Sequence, residues 1–163
     1  MKHPGIIQEK IFTLPELQKN LLRLSILGKT IGFTNGCFDI LHKGHIFSLS
    51  EAAKECDYLI VAVNSDASTR RLKGPHRPIN DENARALLIA SLVMTDAVII
   101  FEEDTPLELI QALLPDVLVK GGDYTVDQIA GAKEVIANGG RVVINPIIQG
   151  YSTTGLIDKI HKL

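Results

Sequence analysis

Five short runs rich in Ile and Val recur along this chain, each apolar on both faces, with helical patterns between them. Tyr58-Leu59-Ile60-Val61-Ala62-Val63 is the clearest; the others lie at about 30–34, 96–101, 116–120 and 141–145. A strand of this kind has no face to offer to water, so helices must cover both of its sides. That is the situation of strands in a parallel sheet. Helical patterns at about 44–55, 81–94, 105–114, 127–138 and 153–162 supply the cover. Strict β–α alternation with right-handed crossovers predicts an α/β fold, a Rossmann-like, doubly wound parallel sheet of five strands. Ahead of it, Thr13-Leu14-Pro15-Glu16 reads as a capping box opening a helix over 13–27, with Leu14, Leu17, Leu21, Leu24 and Leu27 on one face and Gly28 as its stop. The 163 residues suit one domain, with an N-terminal helical segment over 1–28 and a core over 29–163. The longest irregular stretches, 64–80 and 146–152, both follow the C-terminal end of a strand, where ligands bind in such sheets.

Several function classes drop out on bulk properties. A formal net charge of −2 lacks the basic excess of a nucleic-acid binder. The opening Met1-Lys2-His3-Pro4-Gly5 has no apolar signal core, and no run approaches membrane-spanning length. Cys37 and Cys56 have no zinc-ligand spacing and suit a reducing compartment. A cytoplasmic protein is expected.

The chemistry concentrates in Asn35-Gly36-Cys37-Phe38-Asp39-Ile40-Leu41-His42-Lys43-Gly44-His45, at the junction between the first strand and the next helix. Backbone N–H groups and a helix dipole converge at such a junction and favour phosphate. His42 and His45 fall on the first helical turn, where both can donate to phosphate oxygens. Gly36 and Gly44 permit close backbone approach. Asp39 either orients a histidine, holds Mg²⁺ or caps the turn. Gly28-Lys29-Thr30 resembles the end of a P-loop, but Arg23 stands where the earlier glycine is required, and no GxGxxG follows the first strand. The usual NTPase and dinucleotide sites are therefore absent.

Gly36-Cys37-Phe38-Asp39 with His42-Lys43-Gly44-His45 resembles the signature of the cytidylyltransferase-like nucleotidyltransferases, and Tyr151-Ser152-Thr153-Thr154 resembles that family's second motif. Val63–Asp66, Arg71–Gly74, Arg77–Ile79, Phe101–Pro106, Leu118–Tyr124, Ile129–Gly131 and Lys133–Val135 follow in the order found in the adenylyltransferase domain of bifunctional heptose kinase/adenylyltransferases. The likeness runs from about Gly32 to Ile160, and the kinase half has no counterpart in these residues.

The resemblance implies transfer of AMP from ATP to D-glycero-β-D-manno-heptose 1-phosphate, releasing pyrophosphate, with Mg²⁺ on the triphosphate. Glycerol-3-phosphate or ethanolamine phosphate cytidylyl transfer is the neighbouring alternative, and a silent nucleotide-binding module is the non-enzymatic one. His42, His45 and Lys73 are implied as catalytic, with Lys73 on a mobile loop. Thr34, Asn35, Gly36, Cys37, Phe38, Gly44, Lys120, Gly121, Ser152, Thr153 and Thr154 are implied at the nucleotide. Asp39, Asn64, Asp66, Arg77, Gly122 and Asp123 are implied at the acceptor, and Asp39 is the one metal candidate. Arg71 is a further cation for the triphosphate, Arg85 an ion-pair or substrate residue, and Lys43 a solvated lysine. Base selection is assigned to backbone around 145–150. A homodimer is the expected assembly.

Overall fold

The computed structural model describes residues 3–148 and 150–162. Strands β1 (Ile31–Gly36), β2 (Tyr58–Asn64), β3 (Ala97–Phe101), β4 (Val117–Gly121) and β5 (Arg141–Asn145) form one sheet in the order β3-β2-β1-β4-β5. Every pairing is parallel. The helices are α1 (Leu14–Ile26), α2 (Lys43–Ala53), α3 (Asp66–Lys73), α4 (Glu82–Ala90), α5 (Leu107–Leu113), α6 (Ala132–Ala137) and α7 (Thr153–Ile160).

The period of two sorts each strand between two cores. On β2, Ile60 and Ala62 join Leu17, Leu21, Ile110 and Val135, from α1, α5 and α6. Leu59, Val61 and Val63 join Leu49, Ala52, Ala86 and Ile89, from α2 and α4. Both faces of β2 are thus dry, as its composition requires. The order turns around β1, whose neighbours are β2 and β4, and the C-terminal ends of these strands carry the site.

Several elements differ from expectation for identifiable reasons. The capping box of α1 forms, the Thr13 N–H and hydroxyl donating to the Glu16 carboxylate at 2.9 and 2.6 Å. Leu27, however, lies past the helix end and is 71% exposed. The expected helix over 127–138 is broken: a 3₁₀ turn at Val126–Gln128 precedes α6, and Gly131 between them is left-handed (φ 86°). A Cβ there would also meet Ile110 Cδ1 at 2.5 Å, so only glycine fits. The helix expected to reach residue 94 stops at Ala90, where the Ser91 hydroxyl donates to the Leu88 carbonyl at 2.7 Å. A 3₁₀ helix at Pro4–Lys10, which the apolar pattern did not signal, leads to Phe12, whose N–H donates to the Val98 carbonyl on edge strand β3 at 2.9 Å. Finally, the 64–80 stretch contains α3, so Lys73 is the last residue of a helix and not a loop residue.

Candidate active site

Chain direction sets the histidines. β1 ends at Gly36, and His42 is the N-cap of α2, its Nδ1 accepting the Gly44 N–H at 3.1 Å. With Nδ1 engaged as acceptor, the neutral ring carries its proton on Nε2. The His42 and His45 rings stack with centroids 3.8 Å apart and planes 19° from parallel. Phe38, left-handed at φ 49°, brings its ring edge-on to His45 at 5.4 Å. Gly44 is required by the rings themselves, since a Cβ would sit 3.0 Å from the His42 imidazole. Gly36 is in the same position against Phe38, also at 3.0 Å.

Such a stack resists charge. Burial pushes the His45 pKa from 6.5 down to about 4, and the neighbouring His42 adds like-charge repulsion. The Ile40 backbone opposes this, and Nδ1 of His45 is buried without a hydrogen-bond partner. Burial lowers His42 as well. Both rings are therefore neutral donors at pH 7 in the free protein. The unfolded chain binds more protons between about 4 and 6.5, so stability on this account is full above 6.5 and falls as pH drops toward 4. Polyphosphate placed against the rings reverses the electrostatics. We expect imidazole C–H resonances in an NMR titration to report His45 ionising near pH 4 alone and at clearly higher pH with ATP bound. An unchanged midpoint would separate His45 from the phosphates.

The histidines face an open cleft of about 620 Å³ at the C-terminal ends of the strands. It gathers Asn35, Gly36, Cys37, Phe38, Asp39, His42, His45, Asn64, Lys73, Arg77, Lys120, Ser152, Thr153 and Thr154. A side branch of about 280 Å³ adds Thr34, Gly44 and Gly121. Three cations thus line one cavity. Lys120 Nζ donates to Asn35 Oδ1 at 3.1 Å and lies 5.8 Å from the Tyr124 ring centroid. Burial lowers its pKa, the nearby Cys37 opposes this, and the Lys73 ammonium adds repulsion. Ser152 caps α7, its hydroxyl accepting the Gly155 N–H at 3.0 Å.

Asp39 lines the cleft and is engaged with protein groups. Its carboxylate pairs with Arg77 Nε and accepts the N–H groups of Ile79 at 2.7 Å and Asn80 at 2.9 Å. It latches the 74–80 segment onto the histidine loop. Asp66, Gly122 and Asp123 do not line the cleft. Asp66 instead binds Arg85 at 2.8 Å, and Asp123 is exposed. Asn64 lines the cleft, but its amide donates to the Ser68 hydroxyl at 3.0 Å and its oxygen faces the Cys37 thiol at 3.9 Å. Arg71 does not itself line the cleft and is engaged with Asp104 at 2.6 Å and the Glu102 carbonyl at 2.5 Å. Arg85 is fully buried and structural. Within 145–150, Gln149 lies outside the described residues.

Sequence reasoning gave no role to Asp104, Thr105, Tyr124, Gln128 or Tyr151, all of which line the cleft. Their shared signal is position: each follows the C-terminal end of β3, β4 or β5.

Among the described residues, no three His, Cys, Asp or Glu side chains are grouped to hold a metal ion. The lining, cationic and neutral apart from Asp39, which pairs with Arg77, and Asp104, which pairs with Arg71, fits a divalent ion brought in on a nucleotide.

The chain spans about a quarter of the length of the curated relatives it matches. HldE, a bifunctional protein of Mesorhizobium japonicum, is 59% identical over 133 residues, covering 82% of this chain and 27% of its own length. The HldE of Rhodospirillum rubrum is 58% identical over 134 residues, covering 82% and 27%. Among solved structures, the lipopolysaccharide core biosynthesis protein from Thermoplasma volcanium is 34% identical, with a TM-score of 0.60 over 77% of this chain and 100% of its own. Pantoate-beta-alanine ligase from Francisella tularensis, 16% identical with a TM-score of 0.59, covers 94% of this chain and 78% of its own and shares the fold. Residues 33–158, from within β1 into α7, match the Cytidylyltransferase-like family, and the chain belongs to that family of nucleotidyltransferases.

Proposed function

We propose that this chain transfers the adenylyl group of ATP to D-glycero-β-D-manno-heptose 1-phosphate, giving ADP-heptose and pyrophosphate. The observation that carries the chemistry is a neutral, stacked histidine pair in a cleft with Lys73, Arg77 and Lys120. That set binds phosphates and offers no placed base. The acceptor phosphate needs none, being anionic at neutral pH. Its oxygen attacks the α-phosphorus, the bond to the bridging oxygen of the β-phosphate breaks, and pyrophosphate leaves. The imidazole N–H groups and the cations stabilise charge that grows on the α-phosphate and the leaving group. Magnesium on the triphosphate supplies further charge neutralisation.

The choice of heptose phosphate rests on the ordered motifs from Val63 to Val135 and on likeness to bifunctional bacterial relatives and a lipopolysaccharide core protein. We place the reaction in the cytoplasm, where ATP is available and both free cysteines stay reduced. Among the described residues no helix is long and apolar enough to cross a membrane. Pyrophosphate release, followed with ATP, CTP, GTP and UTP against sugar and alcohol phosphates, tests the reading. ATP with the heptose 1-phosphate should be preferred. Preference for CTP with glycerol-3-phosphate would move the chain to the neighbouring chemistry, and no release with any pair would make it a binding module.

A further inference from the structure

We infer that Gln128, Thr105 and the outer oxygen of Asp104 form the acceptor subsite and recognise the ring hydroxyls of a sugar 1-phosphate; this rests on the nucleotidyl-transfer reading above. The cleft has unlike regions. Its side branch sets Gly44, Leu49, Gly121, Ile147 and Ile148 beside Thr34 and Ser48, a mixed surface whose glycines and aliphatic side chains give a flat base something to lie on. The middle, with the histidines, Lys73, Arg77 and Lys120, suits phosphates. The segments after β3 and β4 add Asp104, Thr105, Tyr124 and Gln128 to the lining. Their polar groups are a carboxylate, two hydroxyls and an amide, a set without a cation that matches hydroxyls better than phosphate.

Two of these groups are held in place with capacity to spare. Gln128 Oε1 accepts the Thr125 N–H at 2.9 Å, which orients the amide and leaves the Nε2 hydrogens for a ligand. Asp104 Oδ1 accepts from Arg71 Nε at 2.6 Å, which leaves Oδ2. One fixed donor and one fixed acceptor, with a hydroxyl that is both, match vicinal hydroxyls on a ring. Of the residues expected at the acceptor, Asp66, Gly122 and Asp123 lie outside the cleft, while Asp39, Asn64 and Arg77 line it but are engaged with protein groups, which leaves these side chains free for hydroxyls.

Gln128→Glu separates recognition from structure, because a carboxylate still accepts the Thr125 N–H but cannot donate. With ATP and heptose 1-phosphate, the variant should raise the acceptor KM at least tenfold while the ATP KM stays within twofold and the melting temperature is unchanged. Thr105→Val, close in volume, should act in the same direction without adding charge, and decides the matter if the first variant unfolds. A deoxy analogue of the acceptor that loses affinity for the natural protein should lose little more for the affected variant. An unchanged acceptor KM, or an equal rise in both KM values, would overturn the inference while leaving the reaction intact. Failure of the unmodified protein to release pyrophosphate with any sugar 1-phosphate would instead remove the reading, and the inference with it.

Discussion

His45→Ala should lower kcat by about 10²–10³-fold while leaving the KM for ATP within a few-fold. A donor aimed at charge that grows during reaction acts mainly in the transition state, so its loss appears in kcat. Geometry supports this assignment over a packing role. The ring is stacked on His42, touches Phe38 edge-on and lines the cleft, while its buried Nδ1 has no partner. Loss of the ring contacts should cost little in stability, about 1 kcal/mol for the aromatic pair. Near-normal kcat in the variant would refute the mechanism. Normal folding with lost turnover is the expected pattern.

The largest effect on stability should come from Arg85→Leu. The guanidinium is fully buried and donates to the Asn80 carbonyl at 2.9 Å, the Cys37 carbonyl at 2.6 Å, the Asn64 carbonyl at 2.7 Å and Asp66 Oδ1 at 2.8 Å. Leucine fills part of the volume but leaves three carbonyls and a carboxylate without their donor. Breaking a buried pair in this way costs on the order of 3–5 kcal/mol, a fall in melting temperature of roughly 6–20 °C for a domain of this size. The three carbonyls belong to the histidine loop, the end of β2 and the 74–80 segment, so activity should fall with stability. Arg85→Lys keeps the charge but not the fork and should be intermediate. A loss under about 1 kcal/mol for the leucine variant, on a denaturant curve, would mean that these bonds are not formed as described.

Much of this architecture was legible because it rests on local signals. Continuous apolar strands declare themselves, and the observed β2, Tyr58–Asn64, departs from its sequence run by one residue. The capping box at Thr13 and the stacked pair at His42 and His45 depend on spacings of three residues, which a helix turns into proximity. By contrast, α3 has little apolar signal because its buried side is polar: Ser68 and Thr69 are fully buried and held by hydrogen bonds to Ser65, Asn64 and the Glu103 carbonyl. For Arg85 the expected ion pair forms, with Asp66 at 2.8 Å, but its other partners were illegible, as were those of Asp39. Each finds them across the fold, Asp39 on the 74–80 segment and Arg85 on two strand ends, and no spacing rule marks such contacts. Both are charged residues in a candidate site whose place in the structure is to hold its loops together.

In the proposed reaction an acceptor phosphate displaces pyrophosphate from ATP in this cleft. Phosphorus NMR of the protein with ATP, Mg²⁺ and D-glycero-β-D-manno-heptose 1-phosphate follows both products at once. Equal amounts of pyrophosphate and of a new diphosphate diester, the bridged ADP-sugar, are expected, with no ADP formed. ADP or inorganic phosphate as the main product, or an unchanged spectrum, would contradict that reaction.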